Sequence, residues 1–332
     1  MNALLGIDQP SQRTVSPKHA SRRTFLKGVG VAGAVGLASP LLASTSARAS
    51  TGTLIYGIND DNYPAFVADN PAGFQYGYRA YDDTVWEHTS DVPTTWIADN
   101  PTHYVNWSVR PDLSLLLNGS FDQQVINLLA TAPDHASLTM WHEAAAPPNC
   151  GPGNNYAQYT WMTKSNLLAG HAHMQNLCAK HPSATGGHVS YGQIFIGPAN
   201  QSQVGDWIAS SLDWYGVDIY DNSVFWNNPN DQTQGLNESA IDTRMTNNKN
   251  VLNSKATGYK LHVTETNSPY ADHRKNWALY LSKWMNNNGG YRFLWFYRCG
   301  GADSGCYSDL EQSTRDYIAQ TIIPTYGQHT GP

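Results

Sequence analysis

The stretch "LTMWHEAAAPP", Leu138 to Pro148, decides how the chain is read. Its first residues suit a buried strand, and His142 and Glu143 then stand side by side before a run of alanines and prolines. A strand that leaves the core on two adjacent ionisable side chains carries them to the rim of a sheet, where binding and catalytic residues concentrate. One Glu at a strand end is more often a salt-bridged loop residue than a catalyst. What Glu143 does therefore depends on what the rest of the chain builds around this strand.

Upstream, "LIYGIND" (54–60), "FQYGYRAYDD" (74–83) and "HYVNWSVRP" (103–111) read as three strands, the second with aromatics at period two. "YPAFVADNPAG" between the first two reads as a short helix or turn, and "SFDQQVINLLATA" (120–132) as a helix capped by Ser120. Downstream of the fourth strand come a long helix over about 158–181 and a fifth strand, "HVSYGQIFIG" (188–197). "VGDWIASSL" reads as a helix, "WYGVDIYD" (214–221) as a sixth strand, and 238–254 as a helix. "YKLHVTETN" (259–267) is a seventh strand, and "DHRKNWALYLSKWMNNNGG" a helix with a glycine stop. "YRFLWFYR" (291–298) is an eighth strand, and "SDLEQSTRDYIAQTII" a last helix. Eight strands alternating with helices predict a (β/α)8 TIM barrel, an α/β fold in a single domain over 50–332. A doubly wound sheet is the rival, but "GINDDN" is not the glycine-rich first turn such a sheet uses.

Residues 1–49 read as a leader rather than as fold. Arg22 and Arg23 precede an apolar run rich in Gly and Ala from Val29 to Ala43, and "ARA" follows at Ala47 to Ala49. This order predicts a twin-arginine signal peptide, cleaved near Ser50, and a secreted, extracellular mature chain. The apolar run is short for a membrane anchor. The leader holds six of the 20 Lys and Arg residues and one of the 26 acidic ones, so the mature part, with 14 against 25, has a formal net charge of −11. Such a balance, without a basic cluster, argues against nucleic acid and anionic membranes as partners. It fits a neutral or cationic partner. Eleven Trp and 19 Tyr supply rings for stacking on sugars as well as for the core.

All four cysteines follow the leader, which suggests disulfides in an exported chain. Cys299 and Cys306 flank the flexible "GGADSG" and are expected to pair, leaving Cys150 with Cys178. A zinc site is the alternative, without a C-x-x-C spacing to support it.

In a barrel, catalytic residues come from the C-terminal ends of strands. Two glutamates stand there: Glu143 after the fourth strand and Glu265 at the end of the seventh. Cleavage of a glycosidic bond takes two carboxyl groups, about 5–5.5 Å apart for retention and about 6.5–9.5 Å for inversion. Other strand-end residues are candidates for supporting roles: Asp60, Arg79, His142, Tyr220, Trp107, Trp141 and Trp295. Asp60 and Asp61 could also bind calcium, though no spaced acidic ladder follows. Asp218 could be an interior residue bonded to neighbouring strands. His171 and His173 lie two apart on a helix and read as solvated, while His262 alternates away from Glu265 and reads as packing. No G-x-S-x-G elbow and no H-E-x-x-H occurs, so serine hydrolase and zinc protease readings fail.

These motifs resemble clan A retaining glycoside hydrolases, where the acid/base ends the fourth strand and the nucleophile the seventh. His142-Glu143 is similar to the pair in glycoside hydrolase family 26, the endo-β-mannanases and related enzymes. "GYRAYDD", "YGVDIYD", "HVTETN" and "FLWFYR" resemble its second, sixth, seventh and eighth strands. "TMWHE" and "AAAPPNCGPGNNY" depart from the family, so the resemblance is a divergent one and fits an outlying branch of clan A as well as family 26 itself. The resemblance implies that Glu265 is the nucleophile and Glu143 the acid/base of a double displacement on a β-linked glycan. Arg79 would lie under the nucleophile, Tyr220 would orient it, and His142 would bond substrate or the acid/base. Trp295 would floor the sugar site, with Trp107 or Trp141 stacking. No metal or organic cofactor is called for. A barrel that binds carbohydrate without cleaving it, and a clan A hydrolase of other sugar specificity, are the alternatives.

Overall fold

The computed structural model describes residues 52–59, 63–97, 104–143, 159–196, 205–221, 223–228, 230–231, 234–268, 270–289, 291–296 and 310–330. The leader, Asp60, Asp61, Cys150, Arg298, Cys299 and Cys306 lie outside them.

Eight parallel strands close into a barrel in sequence order: β1 (Ile55–Asn59), β2 (Tyr76–Trp86), β3 (Tyr104–Pro111), β4 (Ala136–Met140), β5 (Ser190–Ile196), β6 (Trp214–Asp218), β7 (Lys260–Thr266) and β8 (Tyr291–Phe296). Closure is through β1 and β8, with Gly57 opposite Trp295. The chain is thus a (β/α)8 barrel, as the alternation of strand and helix patterns predicts. Two glycines let large side chains fill its interior. A Cβ on Gly192 would lie 2.1 Å from the ring of Trp214, and one on Gly216 would lie 2.5 Å from Thr264. Trp214 in turn stacks on His262, ring centroids 4.8 Å apart.

The helices are α1 (Tyr63–Asp69), α2 (Leu113–Leu117), α3 (Asp122–Leu129), α4 (Lys164–Lys180), α5 (Glu238–Asn253), α6 (Ala271–Asn287), α7 (Gln312–Tyr317) and α8 (Ile323–Tyr326). None of them is long and apolar enough to cross a membrane. α6 stops as expected, with Gly289 in the left-handed region at φ 63°. Between α7 and α8, Ile318–Ile322 widens into a π turn. Pro324, which has no N–H and crowds the preceding turn, accounts for the break.

Four expectations need correction. Ser120 does not cap α3; its hydroxyl and amide turn back to Asn118, and the helix starts at Asp122 without a side-chain cap. The polar cap belongs instead to the short α2, where Asp112 accepts from the amides of Ser114 and Leu115. "VGDWIASSL" forms only a 3-10 turn at Gly205–Trp207 among the described residues. Gln193 holds the chain beyond it, accepting from the Ala209 amide at 2.8 Å and donating to the Trp207 carbonyl.

α4 accounts for the other two corrections. Its buried residues, Leu167, Gly170, His171, Met174, Leu177 and Cys178, follow helical spacing and form its inner face. His171 is therefore in the core, 2.9 Å from the Tyr191 hydroxyl, and burial lowers its pKa to about 3. His173 points outward to Asp122. Cys178 is a free thiol on the same inner face, not half of a disulfide, and burial pushes its pKa up.

Gly192→Ala should destabilise the protein by about 1–3 kcal/mol, the cost of forcing a methyl group into a filled interior. Urea unfolding checks this as a lower midpoint with an unchanged slope.

Candidate active site

β4 ends at Met140, earlier than the strand pattern predicts, and a turn delivers the two ionisable residues. Trp141 (φ 47°) and Glu143 (φ 61°) both adopt left-handed backbone. Each such non-glycine residue costs roughly 1–3 kcal/mol and needs outside support. Here the neighbouring strands supply it. The Trp141 amide donates to Val109 at the end of β3, and the Glu143 amide to Ile194 of β5. The Trp141 ring is fully buried, donates to the Pro111 carbonyl at 2.7 Å and packs on Tyr159 and Trp161.

Glu265 reaches the barrel mouth through an irregularity. Gly216 pairs with His262 and Val217 with Val263, but Asp218 pairs with Glu265, so β7 holds one extra residue. Strict alternation would send Thr264 and Glu265 to opposite faces. The bulge turns both inward: Thr264 donates to Asp218 at 2.6 Å, and Glu265 contacts β2. The same bulge places His262 inside the barrel against Trp214, rather than on the face opposite Glu265.

Three donors converge on Glu265. Arg79 Nη1 lies 2.9 Å from Oε1, the Tyr81 hydroxyl also donates to Oε1, and the Tyr220 hydroxyl donates to Oε2 at 2.5 Å. Both oxygens accept, the pattern that suits a carboxylate. Arg79 is fully buried and 4.5 Å from the centre of the Tyr81 ring. Burial works against its charge, but Tyr81, Glu265 and Asp218 outweigh that and raise its pKa. Tyr220 is held by the chain beyond β6, where the Ile219 amide donates to the Glu265 backbone carbonyl and the Asp221 amide to that of Asn267. Asp221 then accepts from Trp226, Ser268 and His273, tying the segments after β6 and β7 together.

Glu143 faces this carboxylate. One oxygen each of Glu143, Asp218 and Glu265 lies within 4.8 Å of the others. Burial, and then the charge of Glu265, raise the pKa of Glu143 to about 7, with Arg79 and Asp218 offsetting part of the rise. Such a trio of carboxyl groups is also what a cation would seek, but the Arg79 guanidinium already stands against two of them. His142 lies 3.1 Å from the Ser108 hydroxyl through Nδ1 and meets the Tyr81 ring edge-on. Burial, Arg79 and Arg110 push its pKa well below the usual histidine value, so it is neutral.

The structure thus brings together Glu143, Glu265, His142, Tyr220 and Arg79. It does not bring the two described tryptophans to the cleft. Asn106 and Ser108 face the interior, so alternation sends Trp107 outward, where it packs edge-on against Trp96. Trp141 is enclosed by its own neighbours. Asp60 lies outside the described residues, and of Trp295 only the backbone is described. Three further residues join the site that the sequence reading does not place there: Tyr81, Ser108 and Asp218. Tyr81 was within reach, since it stands two after Arg79 on the same face of β2.

No protein-family profile matches the sequence. No curated protein matches it either. Solved structures do resemble the fold. A GH26 β-mannanase from Bacteroides ovatus shares 9% identity over 86% of this chain and 93% of its own, with a TM-score of 0.48. Thermotoga maritima Cel5A in complex with cellobiose shares 9% identity over 79% and 97%, with a TM-score of 0.44. A Bacteroidetes-affiliated GH5 cellulase shares 12% identity over 67% and 70%, with a TM-score of 0.41.

The raised pKa of Glu143 has a stability signature that needs no substrate. A carboxyl that binds its proton more tightly when folded stabilises at low pH, and this is lost as pH rises from about 4.5 through about 7. Glu143→Gln should therefore be more stable than the native protein at pH 8, by roughly 2–3 kcal/mol, with the gain vanishing toward pH 4. Chemical denaturation at the two pH values checks the sign.

Proposed function

We propose that the chain is a retaining glycoside hydrolase acting on a β-linked polysaccharide or oligosaccharide, a β-mannan or related β-glycan. The observation that carries this reading is the approach of Glu143 and Glu265 across the barrel mouth, with carboxyl oxygens within 4.8 Å. So close an approach supports a nucleophile and an acid/base of the retaining kind over the wider pair that inversion uses. The choice of β-mannan or a related glycan rests on the sequence resemblance to family 26. The same resemblance and the arginine-pair leader support an exported, endo-acting enzyme that works as a monomer.

In this mechanism an oxygen of Glu265 attacks the anomeric carbon while the glycosidic oxygen leaves with the bonding pair and takes the proton of Glu143. Arg79, Tyr81 and Tyr220 hold Glu265 in line for attack. Glu143, now a carboxylate, takes a proton from water, whose oxygen displaces Glu265 from the anomeric carbon. Two displacements leave the configuration unchanged. A Glu143 pKa of about 7 suits both halves of the cycle near neutral pH.

Reducing-sugar release across β-mannans, β-glucans, xylans and α-linked glycans tests the substrate class, and proton NMR of the first-formed anomer tests retention. On the responsive glycan, Glu265→Ala should lose about a thousandfold or more in kcat, and Tyr220→Phe about 10–100-fold. The native rate should fall as pH rises past about 7, where Glu143 loses its proton. Undiminished hydrolysis by Glu265→Ala would end the reading, and saturable binding without product release would favour a carbohydrate-binding barrel. Fractionation of cells expressing the full chain, with Arg22 and Arg23 intact or replaced by lysine, tests export.

A further inference from the structure

Asp218 is the third carboxyl of the cluster, and its role is argued on the reading of Glu143 and Glu265 as the reacting pair. It ends β6 and is fully buried. The groups against it are Arg79 from β2, Glu143 from the turn after β4, and Thr264 and Glu265 from β7. Oδ1 accepts from the Thr264 hydroxyl at 2.6 Å and lies 3.6 Å from Arg79 Nη1. Oδ2 meets no hydrogen-bond partner among the described residues.

The charges decide what Asp218 is. One guanidinium faces three carboxyl groups. Its Nη1 stands closer to Glu265, at 2.9 Å, than to Asp218, and Glu265 also receives two tyrosine hydroxyls. A buried oxygen without a donor is a costly place for negative charge and a suitable place for a proton. Burial and then Glu265 push Asp218 well above the usual carboxylate range, with Arg79 and Thr264 opposing in part.

We propose that Asp218 works as a neutral acid whose Oδ2 proton is directed at Glu143, making it the positioning residue of the acid/base. When Glu143 gives its proton to the leaving oxygen, the new carboxylate accepts the Asp218 O–H. Asp218 keeps that proton throughout, and the proton Glu143 recovers in the second half comes from water. A donor at this point favours the ionised form of Glu143, whereas an ionised Asp218 would oppose it.

The sign of that effect is the test. Asp218→Ala should lower kcat about 100-fold with KM little changed, and move the alkaline limb of the kcat profile to higher pH. Asp218→Asn, whose amide keeps a donor on the same atom, should recover about tenfold of the lost rate and return the limb toward its native position. If the limb moves to lower pH in both variants, or Asn is as slow as Ala, Asp218 acts as a charge and the proposal is overturned. A second measurement needs no substrate. In full-length protein labelled with carboxyl-13C aspartate, the signal missing from Asp218→Asn should hold its protonated position at pH 7. The ionised position there would overturn the proposal whatever the fate of the hydrolase reading, and failure to cleave any glycan would overturn that reading while leaving this signal to decide the protonation of Asp218.

Discussion

A buried guanidinium fixes the rest of this site. Arg79 sits inside the barrel within 4 Å of both Glu265 and Asp218, with the Tyr81 ring beside it. An isolated charge at such depth is expensive, and only good geometry with several partners makes it tolerable. The arginine therefore demands carboxyl groups on β6 and β7, and it satisfies one of them more fully than the other. From that inequality come the two distinct kinds of carboxyl in the mouth: one surrounded by donors, and others surrounded mainly by burial and like charge. Sites that carry out acid and base steps with the same side-chain type are built on this separation.

Regular strands alone would not have delivered the groups to Arg79. On β7 the extra residue at Thr264 turns two successive side chains inward, so that one bonds Asp218 and the next reaches β2. After β4, left-handed backbone at Trp141 and Glu143 turns the chain out of the strand while their amides stay bonded to β3 and β5. In both places the fold gives up regularity where the carboxyl groups converge, and the neighbouring strands hold the irregular backbone in place.

This explains which parts were legible in the sequence. The barrel follows from eight apolar runs alternating with helical patterns, and Glu143 and Glu265 stand out by their places at or just past strand ends; Arg79, inside β2, and Tyr220, past β6, are marked by the family resemblance. Period-two alternation rightly makes His262 a packing residue but puts it on the wrong face, because a bulge is a property of cross-strand register and leaves no local mark at Thr264. It places Trp107 correctly, since Asn106 and Ser108 are the inward pair; the stacking role comes only with the family resemblance. Trp141 was misleading for a different reason. A tryptophan beside His142 and Glu143 looks like a sugar platform, yet its indole serves as the anchor of the strained turn. The two histidines of α4 lie two residues apart, about 200° around the helix, so His171 faces the core and His173 faces outward.

The Asp221 hub has a consequence for how this barrel can vary. In most (β/α)8 proteins each loop at the catalytic end is an independent module, free to lengthen or be exchanged. Here the segments after β6 and β7 share one carboxylate, which receives Trp226 from the first and Ser268 and His273 from the second. They form a single heritable unit. A recombination boundary between β6 and α6 would separate Asp221 from its partners and disturb Tyr220 beside it, so workable chimaeras of this chain must carry residues 219–273 as one block.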